Sequence, residues 1–144
     1  MSFTRLALPT LVVALAIAPA APVAAKDPTA AAASAGLSGT ESAIVARTNQ
    51  ERARRGLPPL AADPALMAGA RRQAAWMARN RTLAHGQGVT ENIAMGQSSA
   101  GEAVADWMRS DGHRANLLGS SHTRIGVAVA RAADGTAYWC QQFR

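Results

Sequence analysis

Residues 124–131 read RIGVAVAR and residues 136–143 read TAYWCQQF, with Ala132-Ala133-Asp134-Gly135 between them. Two β-rich runs joined through Asp-Gly make a hairpin, because Asp and Gly tolerate the positive φ that a tight reversal needs. Neither strand alternates apolar with polar. Ile125, Val127 and Val129 point one way; Gly126, Ala128 and Ala130 point the other and are also non-polar. A strand of this kind belongs to a sheet covered on both faces. The covering layers must come from upstream.

Upstream of the hairpin the signals are helical. Thr40 precedes Glu41 and an apolar pattern through Ile44, Val45 and Thr48, and Gly56 stops it, which predicts a helix over 41–55 with Thr40 as N-cap. Arg52, Arg54 and Arg55 fall in its last turn, where cations complement the negative carboxyl end. Leu57-Pro58-Pro59-Leu60 cannot continue a helix and reads as an extended connector. Asp63-Pro64 then opens a helix over 64–80, with Leu66, Ala70, Ala74 and Met77 on one stripe and Trp76 nearly opposite. Residues 82–98 are Gly-rich, polar and irregular. Ser99-Ala-Gly-Glu102 is a capping box that opens a helix carrying Val104, Trp107 and Met108. His113–Leu118 reads as one further helical turn, closed by Gly119. Helices followed by a hairpin predict an α+β fold, a three-layer α-β-α sandwich around a small antiparallel sheet.

The first 25 residues have a different character. Arg5 precedes the uncharged apolar run Leu6–Ala18, and Val23-Ala24-Ala25 places small residues before Lys26-Asp27. This is the layout of a secretory signal, cut after Ala25, and the run is shorter than a bilayer span of about 20 residues. Residues 26–39 read as an Ala/Ser/Gly linker, and 40–144 as one domain. The chain is thus expected to be secreted or periplasmic, without a membrane span after cleavage, and monomeric. With 49% hydrophobic residues in 144, it is no disordered polar tail. Its charge is +6, falling to +5 when Arg5 leaves with the signal. The lone Cys140 closes no disulfide within the chain, builds no Cys-rich zinc cluster, and reads as a small buried hydrophobe.

Familiar catalytic signatures are missing. Gly96-Gln-Ser-Ser-Ala100 fails Gly-x-Ser-x-Gly at its last position, and there is no His-Glu-x-x-His, P-loop or dinucleotide glycine pattern. What remains is a scattered set, His85, Glu91, His113 and His122. Imidazoles and carboxylates ligate zinc and move protons, but each residue also has a structural reading. Glu91 can hold backbone in the 86–95 loop, His113 can cap its short helix, and Asn92 and Asn116 can satisfy turn backbone. His122, among Ser and Thr, stays outside the candidate site.

The ordered series Thr48-Asn49-x-x-Arg52, Gly56-Leu57, Pro59-Leu60, His85, Glu91-Asn92-Ile93, Trp107-x-x-Ser110-x-Gly112-His113-Arg114-x-Asn116-Leu117-Leu118, Ile125-Gly126-Val127 and Tyr138-Trp139-x-Gln141-x-Phe143 resembles a bacterial member of the CAP superfamily. That superfamily takes in cysteine-rich secretory, antigen-five and pathogenesis-related proteins. The resemblance covers about residues 41–143 and implies an α-β-α sandwich with a cleft of two His and usually two acids. It matches His85 and His113 to the histidines and Glu91 to one acid. The second acid is replaced by Ser110, which serves neither as a carboxylate base nor as a strong zinc ligand. The disulfides of eukaryotic members are absent, so packing alone holds the domain.

Three functions follow as expectations. The first is an exported binding module for a lipid-like, glycan or protein ligand at the cell envelope, using His85, Glu91, Ser110 and His113 and requiring no cofactor. The second is a divalent-metal site, zinc or similar, at His85 and His113 with Glu91, supporting hydrolysis. The third is a basic adaptor on an anionic cell-surface polymer. Nucleic acid is not an expected partner, and Ser110 in place of the acid weighs against catalysis.

Overall fold

Ser38 starts the first helix, α1 (Gly39–Ala53), by a full capping box: its hydroxyl accepts from the Glu41 N–H, and the Glu41 carboxylate accepts from the Ser38 N–H. The start therefore lies two residues before Thr40, because Ser38-x-x-Glu41 satisfies two backbone donors and Thr40 satisfies neither. The computed structural model describes residues 36–144, so the signal and most of the linker stretch lie outside the described residues. Leu37 at the end of that stretch packs against the core.

The remaining elements are β1 (Ala61–Ala62), α2 (Pro64–Asn80), β2 (Thr90–Met95), α3 (Ala100–Arg109), α4 (Asp111–Leu117), β3 (Arg124–Arg131) and β4 (Ala137–Phe143). The sheet order is β1-β3-β4-β2. The β3–β4 hairpin and the β4–β2 pair are antiparallel, with Val127 opposite Gln141 and Asn92 opposite Gln141 from the other side. β1 runs parallel to β3, which corrects the wholly antiparallel sheet expected from the sequence. The cause lies in the proline connector: the Asn49 side chain donates to the Leu60 carbonyl at 3.0 Å and accepts from its N–H at 2.8 Å, which brings Ala61-Ala62 alongside Arg124-Ile125. Two alanines carry no periodic signal of their own. The 82–98 stretch is also more regular than its composition suggested, since β2 forms the second edge of the sheet within it.

Helix α2 covers one face of the sheet, packing on β3 and β4, while α1, α3 and α4 cover the other. Its buried side chains are Met67, Ala70, Ala74, Met77 and Ala78. Asp63 caps it, accepting from the N–H groups of Ala65 and Leu66. β4 is buried at every position, as a central strand between two helical layers must be. Gly126 lets α2 approach the sheet, because a Cβ there would collide with the Leu66 backbone. Trp107 and Trp139 fill the α1/α3 side with Ile44, Val127 and Phe143; Tyr138 and Cys140 lie under α2 with Ile93 and Ala128. Among the described residues no helix is long and apolar enough to cross a membrane.

Candidate functional site

The candidate residues gather around the β2 edge of the sheet. Strand alternation sends neighbouring β2 side chains to opposite faces. Glu91 points to the α2 side, with Cys140 and Gln142 of β4; Asn92 points to the α4 side, with Gln141.

The Glu91 side chain is 1% exposed, and both of its oxygens are engaged. Oε1 accepts from the Gly86 N–H at 2.5 Å and lies 3.2 Å from His85 Nδ1. Oε2 accepts from the Gln142 amide at 3.1 Å and from the Cys140 thiol at 3.6 Å. The structural reading of Glu91 thus holds: it fastens the 86–90 loop to the sheet. Burial, then the Glu91 carboxylate, pushes the Cys140 thiol up and keeps it protonated and inert. The His85 side chain is 57% exposed. A carboxylate only accepts, so Nδ1 is the donor in its contact with Glu91.

His113 lies on α4, and a buried polar chain sets its position. Gln141 donates to the Thr48 hydroxyl at 2.6 Å; Asn92 donates to Gln141 at 3.2 Å and to the His113 carbonyl at 2.9 Å. Asn116 closes the chain, donating to the Asn92 side chain at 3.0 Å and to the Glu91 carbonyl at 3.3 Å. Thr48, Asn92 and Gln141 are fully buried, so the links among these three replace water. Asn92 and Asn116 therefore serve backbone as expected, but distant backbone rather than their own turns. Thr48, Gln141 and Gln142 were missing from the sequence-derived set. Two adjacent glutamines in a central strand were the available signal, since opposite faces of a covered sheet must each offer a partner.

Burial, and then the nearby His85, holds the His113 imidazole below its ordinary value. Ser110 joins α3 to α4; its side chain makes no capping bond, which leaves the hydroxyl available. His122 lies apart, stacked on Phe143 at 5.4 Å between ring centroids. Its carbonyl, with those of Pro58, Leu117 and Gly119, accepts from the fully buried Arg52 guanidinium. Arg52 is the basic residue of the last turn of α1, as expected, and it also ties α1 to Leu117 of α4 and to the segment after it. The helix ends at Ala53 rather than 55, so Arg54 is its C-cap and Arg55 lies beyond it; both are exposed and paired with Glu51.

Among the described residues no three His, Cys, Asp or Glu side chains group as a metal site requires. The reason is visible in the contacts: Glu91 is turned toward the α2 face and spent on protein donors, leaving two imidazoles and a serine. Glu91 would have to give up protein donors to serve as a third zinc ligand beside His85 and His113.

A sequence profile of the cysteine-rich secretory protein family (CAP) matches residues 45–143. The Bacillus subtilis protein YkwD is 34% identical over 138 residues, covering 83% of this chain and 52% of its own, so the chain spans about half that relative's length. An extracellular protein of Bacillus anthracis containing an SCP domain is 28% identical, with a TM-score of 0.62 over 74% of this chain and 40% of that one. An outer surface protein of Borrelia burgdorferi shares the fold at 20% identity, with a TM-score of 0.64 over 69% of this chain and 87% of that one. Profile, relatives and the α-β-α architecture agree: the chain belongs to the CAP family of cysteine-rich secretory proteins.

Proposed function

We propose that this protein is an exported binding module of the cell envelope, and that His85, His113 and Ser110, braced by Glu91, contact a ligand without catalysing a reaction. The observation that carries this reading is the state of Glu91. A general base or metal ligand needs a lone pair directed at substrate or ion, and both Glu91 oxygens are turned inward to four protein partners. The groups that Glu91 leaves for a ligand are the exposed His85 ring, the half-buried His113 ring and the Ser110 hydroxyl, a set suited to hydrogen bonding a polar ligand. The signal-like first 25 residues and the extracellular and outer-surface relatives support export. The ligand classes are those of an envelope: lipid-like, glycan or protein.

Calorimetry with zinc on the wild type and on His85→Ala/His113→Ala tests the reading. Equal, negligible heats are expected. A wild-type heat that the double variant abolishes would restore the metal-site alternative.

A further inference from the structure

A second surface lies on the α2 side of the molecule, and its chemistry is more selective than that of the histidine cluster. An open groove of about 1070 Å³ runs between α2 and the 86–90 loop, floored by Gln142 and Phe143. Arg71, Arg72, Arg79 and Arg144 line it, and no acidic side chain does. Two of these guanidinium groups are already partnered: Arg71 with Glu41 at 2.7 Å and Arg144 with Asp63 at 2.6 Å. Among the described residues Arg72 and Arg79 make no ion pair or side-chain hydrogen bond. Between them on the same stripe of α2 stands Trp76, 42% exposed although its residue type is usually buried. The helix end accounts for a cation at Arg79, but not for Arg72 in mid-helix or for an exposed indole beside both.

The geometry points to this groove as a binding site for an acidic oligosaccharide. Arg72 and Arg79 are seven residues apart, about 10 Å along the helix axis, a separation that acidic sugars at alternate positions of a polymer can span. Each guanidinium offers forked donors to a carboxylate. The flat indole of Trp76 suits the apolar face of a pyranose ring. The amides of Gln73 and Gln87 supply neutral hydrogen bonding for hydroxyls. An anionic membrane is the weaker fit, because of the large apolar side chains that line the groove only Trp76 stands exposed for insertion, Phe143 being buried in its floor. The inference rests on the binding reading above and gives it a ligand class.

The test is titration of the purified protein with tetragalacturonate, with neutral maltotetraose as control, and with Arg72→Gln/Arg79→Gln and Trp76→Ala as variants. All three side chains lie on the outer face of α2, and an unchanged Tm certifies the fold. The acidic tetramer should bind at least tenfold more tightly than the neutral one, and binding should weaken with salt. The arginine double variant should lose at least tenfold and flatten the salt dependence. Trp76→Ala should lose affinity with the salt dependence kept. Equal binding of both tetramers, no effect of the arginine variant, or binding only to phosphatidylglycerol vesicles would overturn the groove assignment. Cleavage of the bound tetramer would instead overturn the non-catalytic reading, so the two failures are told apart.

Discussion

Replacing Arg52 by Met keeps most of the aliphatic stem and removes the donors. The guanidinium donates to the carbonyls of Pro58 and Leu117 at 3.0 Å, Gly119 at 2.9 Å and His122 at 3.4 Å, and the residue is fully buried. Losing the donor for a buried acceptor costs about 1–3 kcal/mol per group. Four acceptors would suggest a larger total, but the methionine no longer requires an ion to be taken out of water, which offsets several kcal/mol. The net expectation is a loss of about 3 kcal/mol, or roughly 12 °C in Tm for a domain near 100 residues. Urea unfolding at constant m-value measures it. Arg54→Met and Arg55→Met should each change stability by less than about 0.5 kcal/mol, since both are exposed. The helix-end reading puts all three arginines in one class, each at about 0.3–1 kcal/mol. A loss under about 1 kcal/mol for Arg52→Met, similar to its two neighbours, would refute the buried tie.

Three other outcomes are expected. Gly126→Ala drives a methyl into the Leu66 backbone and should cost at least about 2 kcal/mol by pushing α2 off the sheet; a calorimetric Tm near the wild-type value would contradict it. Burial raises the Glu41 carboxyl, but bonds to Arg71 and Ser38 outweigh it and hold the group below 4.5, so its contribution is present above pH 4.5 and lost as pH falls through the folded value. Glu41→Gln should therefore show a shallower loss of stability below pH 4.5 than the wild type, and an equal or steeper loss in acid titration would refute the pairing. His113 is held below 6.5 by burial and by His85, so the unfolded chain takes up its proton first and stability falls as pH drops from 6.5 through the folded value. His113→Asn should flatten that part of the pH profile, and an unchanged slope in urea midpoints between pH 7 and pH 5 would contradict the burial of the ring.

Much of the architecture could be read from the chain because its signals are local. Asp134-Gly135 marks the hairpin, Asp63-Pro64 opens α2, and the two apolar faces of 124–131 call for helices on both sides. β1 and β2 were not legible for a physical reason. Ala61-Ala62 owes its pairing to Asn49, eleven residues before Leu60, and Thr90–Met95 carries two polar side chains inward whose partners lie on other strands and helices. The ordered motif matched His85, Glu91 and His113 to one cluster, but not their roles. A sequence shows that a carboxylate is present; only the fold shows that Glu91 is consumed by Gly86, Gln142 and Cys140. Arg52 illustrates the same limit, since its acceptors at Leu117, Gly119 and His122 lie far along the chain.

The central claim is that Glu91 braces the fold and does no chemistry, and the stability of Glu91→Met tests it most directly. Methionine fills the buried volume but leaves the Gly86 N–H and the Gln142 amide without acceptors. At about 1–3 kcal/mol for each unsatisfied group, reduced by no longer burying a charge, the predicted result is a loss of at least about 2 kcal/mol in urea unfolding. An acid retained for catalysis or metal binding is held against the interests of the fold, and its removal leaves stability unchanged or raises it. A Glu91→Met protein as stable as the wild type, or more so, would contradict the structural role assigned to this residue.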